Sequence, residues 1–152
     1  MLNRRLSPPI ATFDSEYSYI TEKYLNVVEG QYLDFVLTDK KLGDESVNES
    51  VYFEMVGKKT ADLIAAATKV AGIVVSVDDK ELEALYEYGH SLGIAYQLCD
   101  DAVSIWGTED KTGKCAYGDI LERKKTIPVL YALNKLSESD RNILLDYYNK
   151  DD

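Results

Sequence analysis

Apolar residues recur at helical spacing along most of the chain, and short polar breaks separate the runs. A period of three to four residues predicts amphipathic α-helices, and the breaks predict their ends. The sequence at residues 57–60 predicts an interruption between two helices. Val77–Asp79 predicts a turn in which Asp79 caps the next helix. The predicted helices span roughly residues 16–38, 48–56 (capped by Ser46 or Asn48), 61–75 and 80–106, then one from Thr126 and a last one capped by Ser137 or Ser139.

The pattern predicts an all-α protein built as one domain. The chain has 152 residues, which suits a single hydrophobic core. It has only three prolines, and two of them, Pro8 and Pro9, predict an irregular N-terminal lead over residues 1–15. Residues 16–152 are then predicted to form a single helical domain.

The segment Gly89–Gly107, GHSLGIAYQLCDDAVSIWG, is the most informative stretch. Its apolar positions predict one buried helix face: Leu92, Tyr96, Cys99, Val103 and Trp106. A second stripe is polar: Gln97, Asp100, Asp101 and Ser104. Adjacent carboxylates in an apolar helix are unfavourable unless a cation balances them, which points to a hard ion such as Mg²⁺. The alternative is a solvated acidic patch, with Gln97 as a hydrogen-bonded core amide.

Charge and cysteine content exclude several classes of protein. Lys and Arg number 17 against 27 Asp and Glu, so the net charge of −10 argues against nucleic acid or an anionic membrane surface as partner. The cysteines, Cys99 and Cys115, form no CxxC motif, and with His90 as the one histidine a zinc site is not expected. We expect no transmembrane segment and a reducing, cytoplasmic location.

Basic residues concentrate in two segments. Lys58-Lys59-Thr60 lies at a helix start, and the long glycine-containing loop over residues 107–125 carries Lys114, Lys124 and Lys125. Lysines beside a carboxylate helix that holds Mg²⁺ would clamp a diphosphate and neutralise it as it leaves a carbon atom. The alternative for each lysine is an ordinary solvated face.

Several ordered motifs resemble the C-terminal half of trans-isoprenyl diphosphate synthases. They are GQYLDF at residues 30–35, KKTADL at 58–63, the Gly89–Gly107 segment, and TGKCAYGDILERKKTIPVLYAL at 112–133. The resemblance covers roughly Glu29 to Leu133. It implies one half of an all-α isoprenoid-synthase bundle around a deep cavity. Family members use Mg²⁺ to join isopentenyl diphosphate to an allylic diphosphate.

The resemblance also implies roles for individual residues. Lys59 and Thr60 match a lysine–threonine pair whose lysine contacts the allylic diphosphate, and Gln97 matches the glutamine before the second aspartate-rich motif. We therefore expect Lys59, Thr60 and Gln97 to serve catalysis. Asp100 and Asp101 match Mg²⁺ ligands. Two further lysines, Lys114 and Lys124, match residues that contact diphosphate.

Two departures separate this chain from the family pattern. Ser104 stands where the DDxxD motif has its third aspartate, and a hydroxyl is a weaker, neutral Mg²⁺ ligand. Nothing in the sequence matches the family's first aspartate-rich motif, and Asn3-Arg4-Arg5 lacks the preceding aspartates. A half-length match would leave one cavity wall open and an apolar surface exposed.

Three hypotheses follow. The chain supplies part of a prenyltransferase, completed by a second polypeptide that carries the first aspartate-rich motif or by a homo-oligomer. Alternatively, it is a non-catalytic or regulatory subunit that binds prenyl diphosphate. The third hypothesis is an inactive truncated homologue.

Overall fold

The computed structural model describes residues 10–108, 110, 113 and 117–150, with side chains from Tyr17 onward. This part of the chain consists of helices and turns without a β-strand, which confirms the all-α prediction. The elements are α1 (Ile10–Asp39), α2 (Glu49–Val56), a π-helical segment (Gly57–Ala61), α3 (Asp62–Val74), α4 (Asp79–Trp106), α5 (Gly118–Leu121), α6 (Ile127–Lys135) and α7 (Glu138–Asn149).

The first helix begins earlier than predicted. Helix α1 starts at Ile10, inside the segment predicted to be an irregular lead. Proline is tolerated immediately before and within the first turn of a helix, so Pro8 and Pro9 do not prevent a helix from starting at the next residue. Residues 1–9 lie outside the described part of the chain.

The interruption predicted after α2 is a π-helical segment rather than a break. Gly57 keeps right-handed helical dihedral angles, and the backbone N–H of Asp62 donates to the carbonyl of Gly57, five residues earlier. Helices α2 and α3 therefore continue into each other through one widened turn. Such turns occur frequently at functional sites, because they change which side chains share a face.

Helix α4 is fixed at its start and along its length by two devices. Asp78, not the predicted Asp79, is the N-cap, and it forms a capping box with Glu81. Farther along, Gly93 lets α4 approach the end of the π-helical segment, because a Cβ there would lie 3.0 Å from the Cβ of Ala61. The remaining predicted caps that act are Asn48 for α2 and Ser137 for α7.

The buried core joins the C-terminal end of α1, the turn after it, α2, α6 and α7. Among its members Tyr52 and Val56 are the largest side chains that are almost fully buried. The cluster consists of Leu37, Leu42, Val47, Tyr52, Met55, Val56, Val129, Leu130, Leu133 and Tyr148. This core sits directly beside the polar stripe of α4, because Tyr52 also contacts Asp101.

The predicted orientation of α4 is wrong. The face predicted to be buried is exposed: Trp106 is 72% exposed and Tyr96 62%, and Cys99, also predicted to be core, is an exposed thiol. Asp101, on the stripe that could have been a solvated patch, is only 3% exposed. Hydrophobic periodicity shows that a helix has two faces, but the packing partners decide which face is covered.

Helix α1 repeats this exposure of large apolar side chains. Tyr32 and Phe35 are 66% and 63% exposed. The exposed apolar residues of α1 are Tyr17, Ile20, Tyr24, Leu25, Val28, Tyr32 and Phe35. The expectation of an exposed apolar surface is therefore met on both α1 and α4. No helix in the described ranges is long and apolar enough to cross a membrane.

Candidate functional site

A cavity of about 210 Å³ lies where α1, α2, the π-helical segment, α4 and the segment after α5 meet. It is lined mainly by charged and polar side chains, which sets it apart from the adjacent core. The lining residues that carry chemistry are Asp34, Tyr52, Lys59, Gln97, Asp100, Asp101, Asp119, Lys124, Lys125 and Thr126. Cations and carboxylates from distant parts of the sequence therefore share one space.

A chain of hydrogen bonds crosses the cavity wall from the π-helical segment to α2. Thr60 Oγ1 donates to Gln97 Oε1 at 3.1 Å, and Gln97 Nε2 donates to Asp101 Oδ1 at 2.9 Å. The hydroxyl of Tyr52 donates to Asp101 Oδ2 at 2.5 Å. Both oxygens of the buried carboxylate are thus hydrogen-bonded, and the amide of Gln97 has a fixed orientation.

The burial of this network affects the pKa values of its ionisable groups. Burial raises the pKa of the Asp101 carboxyl above its usual range, the bonds from Tyr52 and Gln97 oppose that shift, and the nearby carboxylate of Asp119 adds to it. Burial, followed by the bond to Asp101, raises the pKa of Tyr52 well above its usual value. The Tyr52 hydroxyl therefore stays protonated and keeps donating to Asp101.

Lys59 reaches the cavity from the π-helical segment. Gly30 of α1 lies against its backbone, and a Cβ on Gly30 would be 2.7 Å from the Cα of Lys59. The close approach that this glycine permits brings Lys59 Nζ to 2.6 Å from Asp34 Oδ2, four residues farther along α1. The glycine and the aspartate of the GQYLDF motif thus position the same lysine.

Lys124 reaches the cavity from the segment that follows α5. Its Nζ lies 2.9 Å from Glu122 Oε2 and 3.1 Å from Asp119 Oδ1. Burial alone would lower the pKa of this ammonium group, but the two carboxylates outweigh it, so the pKa of Lys124 is raised. The cation therefore stays charged in its partly buried position.

Ser104 has a structural contact that its sequence position did not suggest. Its Oγ accepts a hydrogen bond from the backbone N–H of Asp119 at 3.2 Å, at the start of α5. The hydroxyl links α4 to the segment that carries Lys124. A carboxylate at the same position would also be able to accept from this N–H.

The structure brings five of the predicted site residues together in the lining of one cavity: Lys59, Gln97, Asp100, Asp101 and Lys124. Thr60 is not among the lining residues and is connected to them through its hydrogen bond to Gln97. Lys114 and Cys115 lie outside the described residues. The roles expected for these side chains in catalysis and binding remain predictions.

Sequence reasoning gave no role to three residues of the cavity: Asp34, Tyr52 and Asp119. Asp34 lies within GQYLDF and Asp119 within the GDI element, so the position of each aspartate in a motif was a signal for a role in the site. Tyr52 carries no such signal, since its spacing is that of any buried aromatic residue of an amphipathic helix.

The carboxylates fit Mg²⁺ only as a partial ligand set. Within the described residues no group of three or more His, Cys, Asp or Glu side chains is arranged to hold a metal ion. Mg²⁺ is commonly held by one or two carboxylates together with water and substrate phosphate oxygens. Asp100 and Asp101, beside two cavity lysines, match that smaller requirement.

Comparison with known proteins identifies relatives over most of the chain. A short chain isoprenyl diphosphate synthase from Methanothermobacter thermautotrophicus is 37% identical over 133 residues, which are 88% of this chain and 40% of that protein. A geranylgeranyl diphosphate synthase from Methanosarcina mazei is 37% identical over 124 residues, which are 82% of this chain and 35% of that protein. The chain therefore spans about 40% of the length of such relatives.

Solved structures agree in fold. A geranylgeranyl pyrophosphate synthetase from Pyrococcus horikoshii Ot3 superimposes with a TM-score of 0.80 at 28% identity, covering 92% of this chain and 42% of that one. The family model described as Polyprenyl synthetase matches residues 13–152. The expected resemblance and fold are confirmed, and the chain belongs to the polyprenyl synthetase family.

Proposed function

We propose that this chain supplies one part of a Mg²⁺-dependent prenyltransferase that joins isopentenyl diphosphate to an allylic diphosphate. The observation that carries the proposal is the meeting of Lys59, Lys124, Asp100 and Asp101 at one cavity. A diphosphate leaving group needs cations from several sides, because it gains negative charge as its C–O bond breaks. Lys59 and Lys124 reach the cavity from different segments of the chain and meet that need.

The carboxylates serve as Mg²⁺ ligands in this proposal. Bound Mg²⁺ would act as a Lewis acid on the diphosphate oxygens. Asp101 is held by Tyr52 and Gln97, so its carboxylate has one fixed orientation. Asp100 lines the cavity one position earlier on the same helix.

The lysines bind and neutralise the diphosphate. Lys59 and Lys124 are each held by a carboxylate, Asp34 and Asp119 respectively. A bound diphosphate would share these ammonium groups with the two carboxylates, which keep the lysines in place when the site is empty. Lys114 is proposed as a further diphosphate ligand from the family pattern.

We propose that another polypeptide supplies the rest of the cavity. It is either a second polypeptide that carries the first aspartate-rich motif or another copy of this chain in a homo-oligomer. Exposed apolar faces on α1 and α4 support this, since they offer large uncovered surfaces next to the site. The match to only about 40% of the relatives' length supports it as well.

The test is to isolate the chain gently from its own cells and to assay condensation of isopentenyl and allylic diphosphates with Mg²⁺ or with EDTA. We expect activity that requires Mg²⁺ and falls about a hundredfold or more in Asp100→Asn. Asp79→Asn, an exposed carboxylate on the same helix, is the matched control. Recovery of this chain alone, without condensation, would overturn the catalytic proposal.

A second candidate is a non-catalytic subunit that binds prenyl diphosphate. Ser104 favours it, because its hydroxyl is used to hold the backbone of Asp119 and replaces an acidic ligand of the family motif. Ser104→Asp separates the two functions. A large gain in activity of the assembled enzyme would speak against a purely regulatory role, whereas unchanged inactivity would favour it.

A further inference from the structure

A second, larger cleft of about 420 Å³ opens beside the proposed catalytic cavity. It lies between the C-terminal ends of α1 and α7 and the turn that follows α5. The two spaces share Thr38 and Lys125, which line both. Lys125 Nζ donates to the carbonyl oxygen of Thr38 at 2.5 Å, so this contact forms part of the wall between them.

The cleft is basic, although the chain as a whole is strongly acidic. Five cationic residues line it against two acidic ones, Asp39 and Glu122, whereas the whole chain carries a net charge of −10. The basic residues are Lys40, Lys41, Arg123, Lys125 and Lys150. A local excess of positive charge in a concave site attracts anions and raises their local concentration.

A side-chain hydrogen bond ties the walls of this cleft together. Arg123 has a left-handed backbone with φ of 54°, and its guanidinium donates to the carbonyl oxygen of Lys150 at 2.6 Å, which links the turn after α5 to the C-terminal end of α7. Tyr148 lines the cleft and also belongs to the buried core, so the cleft rests directly on the packed part of the chain.

We infer that this cleft is a second anion site that binds the diphosphate group without a metal ion. Its cations supply the charge that Mg²⁺ supplies in the proposed catalytic cavity. The lining is mostly polar, with Leu121 as its aliphatic member. The cleft therefore recognises phosphate oxygens and provides no seat for a prenyl tail. The inference does not depend on the proposed catalytic function.

The test is calorimetric titration of the whole chain with inorganic diphosphate in EDTA, at low and at raised salt. We expect binding that weakens as salt rises, because the contacts are ionic. The double variant Lys41→Ala/Lys150→Ala removes two exposed cleft cations and is expected to weaken binding at least tenfold. The double variant Lys80→Ala/Lys135→Ala removes the same charge from outside the cleft and is expected to leave binding within about twofold.

Two further arms distinguish the cleft from the catalytic cavity. Lys59→Ala removes a cavity lysine that the proposed function places against diphosphate, and it should weaken metal-free binding less than Lys41→Ala/Lys150→Ala does. Isopentenyl diphosphate should bind within about threefold of inorganic diphosphate, since the tail finds no apolar seat.

Three results would overturn the inference. They are the absence of metal-free binding, an equal effect of the cleft and control double variants, and a loss of binding in Lys59→Ala that equals or exceeds the loss in the cleft double variant. If the cleft lysines only complement the C-terminal ends of α1 and α7, Lys41→Ala/Lys150→Ala lowers the thermal stability while the wild-type chain shows no titration. These outcomes are independent of whether the assembled protein catalyses condensation.

Discussion

At the scale of single residues, the site depends on polar groups that satisfy one another in a buried place. Asp101 is almost fully buried as a carboxylate and relies on the hydroxyl of Tyr52 and the amide of Gln97. A buried acceptor that loses one donor keeps its desolvation penalty and loses the compensating bond. Tyr52 therefore contributes to stability through both its ring and its hydroxyl.

The first prediction compares two buried tyrosines. Tyr52→Phe removes a hydroxyl that is bonded to a buried carboxylate, and we expect it to lower the free energy of unfolding by about 1–3 kcal/mol. Tyr148→Phe removes a buried hydroxyl that has no partner in the described structure, and we expect it to be neutral or stabilising. Urea denaturation of both variants gives the comparison. Equal losses would contradict the role assigned to the bond between Tyr52 and Asp101.

At the scale of elements, two local devices place the site. The π-helical segment carries Lys59 and Thr60 toward the cavity and toward Gln97, and Gly30 allows α1 to approach it. The capping box at Asp78 fixes the start of α4, the helix that carries Gln97, Asp100 and Asp101. Caps act within one turn, so their effect on the distant carboxylates is through helix stability alone.

The second prediction concerns this cap. Asp78→Ala removes the side chain that accepts from the backbone N–H of Glu81, and we expect it to cost about 1 kcal/mol of unfolding free energy. Asp79→Ala changes a neighbouring exposed carboxylate without a capping bond and is expected to cost only a few tenths of that amount. Thermal and chemical denaturation measure both. A larger loss for Asp79→Ala would show that the cap has been assigned to the wrong residue.

At the scale of the whole molecule, the buried core and the exposed apolar faces are formed by different parts of the helices. The core is formed by the end of α1 together with α2, α6 and α7, while the outer faces of α1 and α4 expose tyrosine, phenylalanine and tryptophan. Large exposed apolar patches mark protein or membrane interaction sites or ligand-binding grooves. This fits a chain that spans about 40% of the length of its relatives.

The third prediction is that these faces drive association of the isolated chain. We expect Tyr32→Ser/Phe35→Ser, on the exposed face of α1, to reduce the concentration-dependent mass measured by sedimentation. The matched control is Val74→Ser/Val75→Ser, which changes two exposed apolar residues beside the turn after α3. If the wild-type chain stays monomeric at high concentration, or if both double variants behave alike, the α1 face is not an association surface.

The fold class, the approximate helix limits and the family follow from the sequence, because periodicity, capping residues and ordered motifs are local properties of the chain. Five of the residues predicted for the site line one cavity, and Thr60 is hydrogen-bonded to one of them, Gln97. The sequence did not show that Tyr52 would hold Asp101, that Asp34 and Asp119 would hold the lysines, or that Asp101 would be buried while the apolar stripe of α4 is exposed. Those features required the tertiary structure, because they depend on contacts between residues 5 to 49 positions apart, which the hydrophobic pattern of a single helix does not contain.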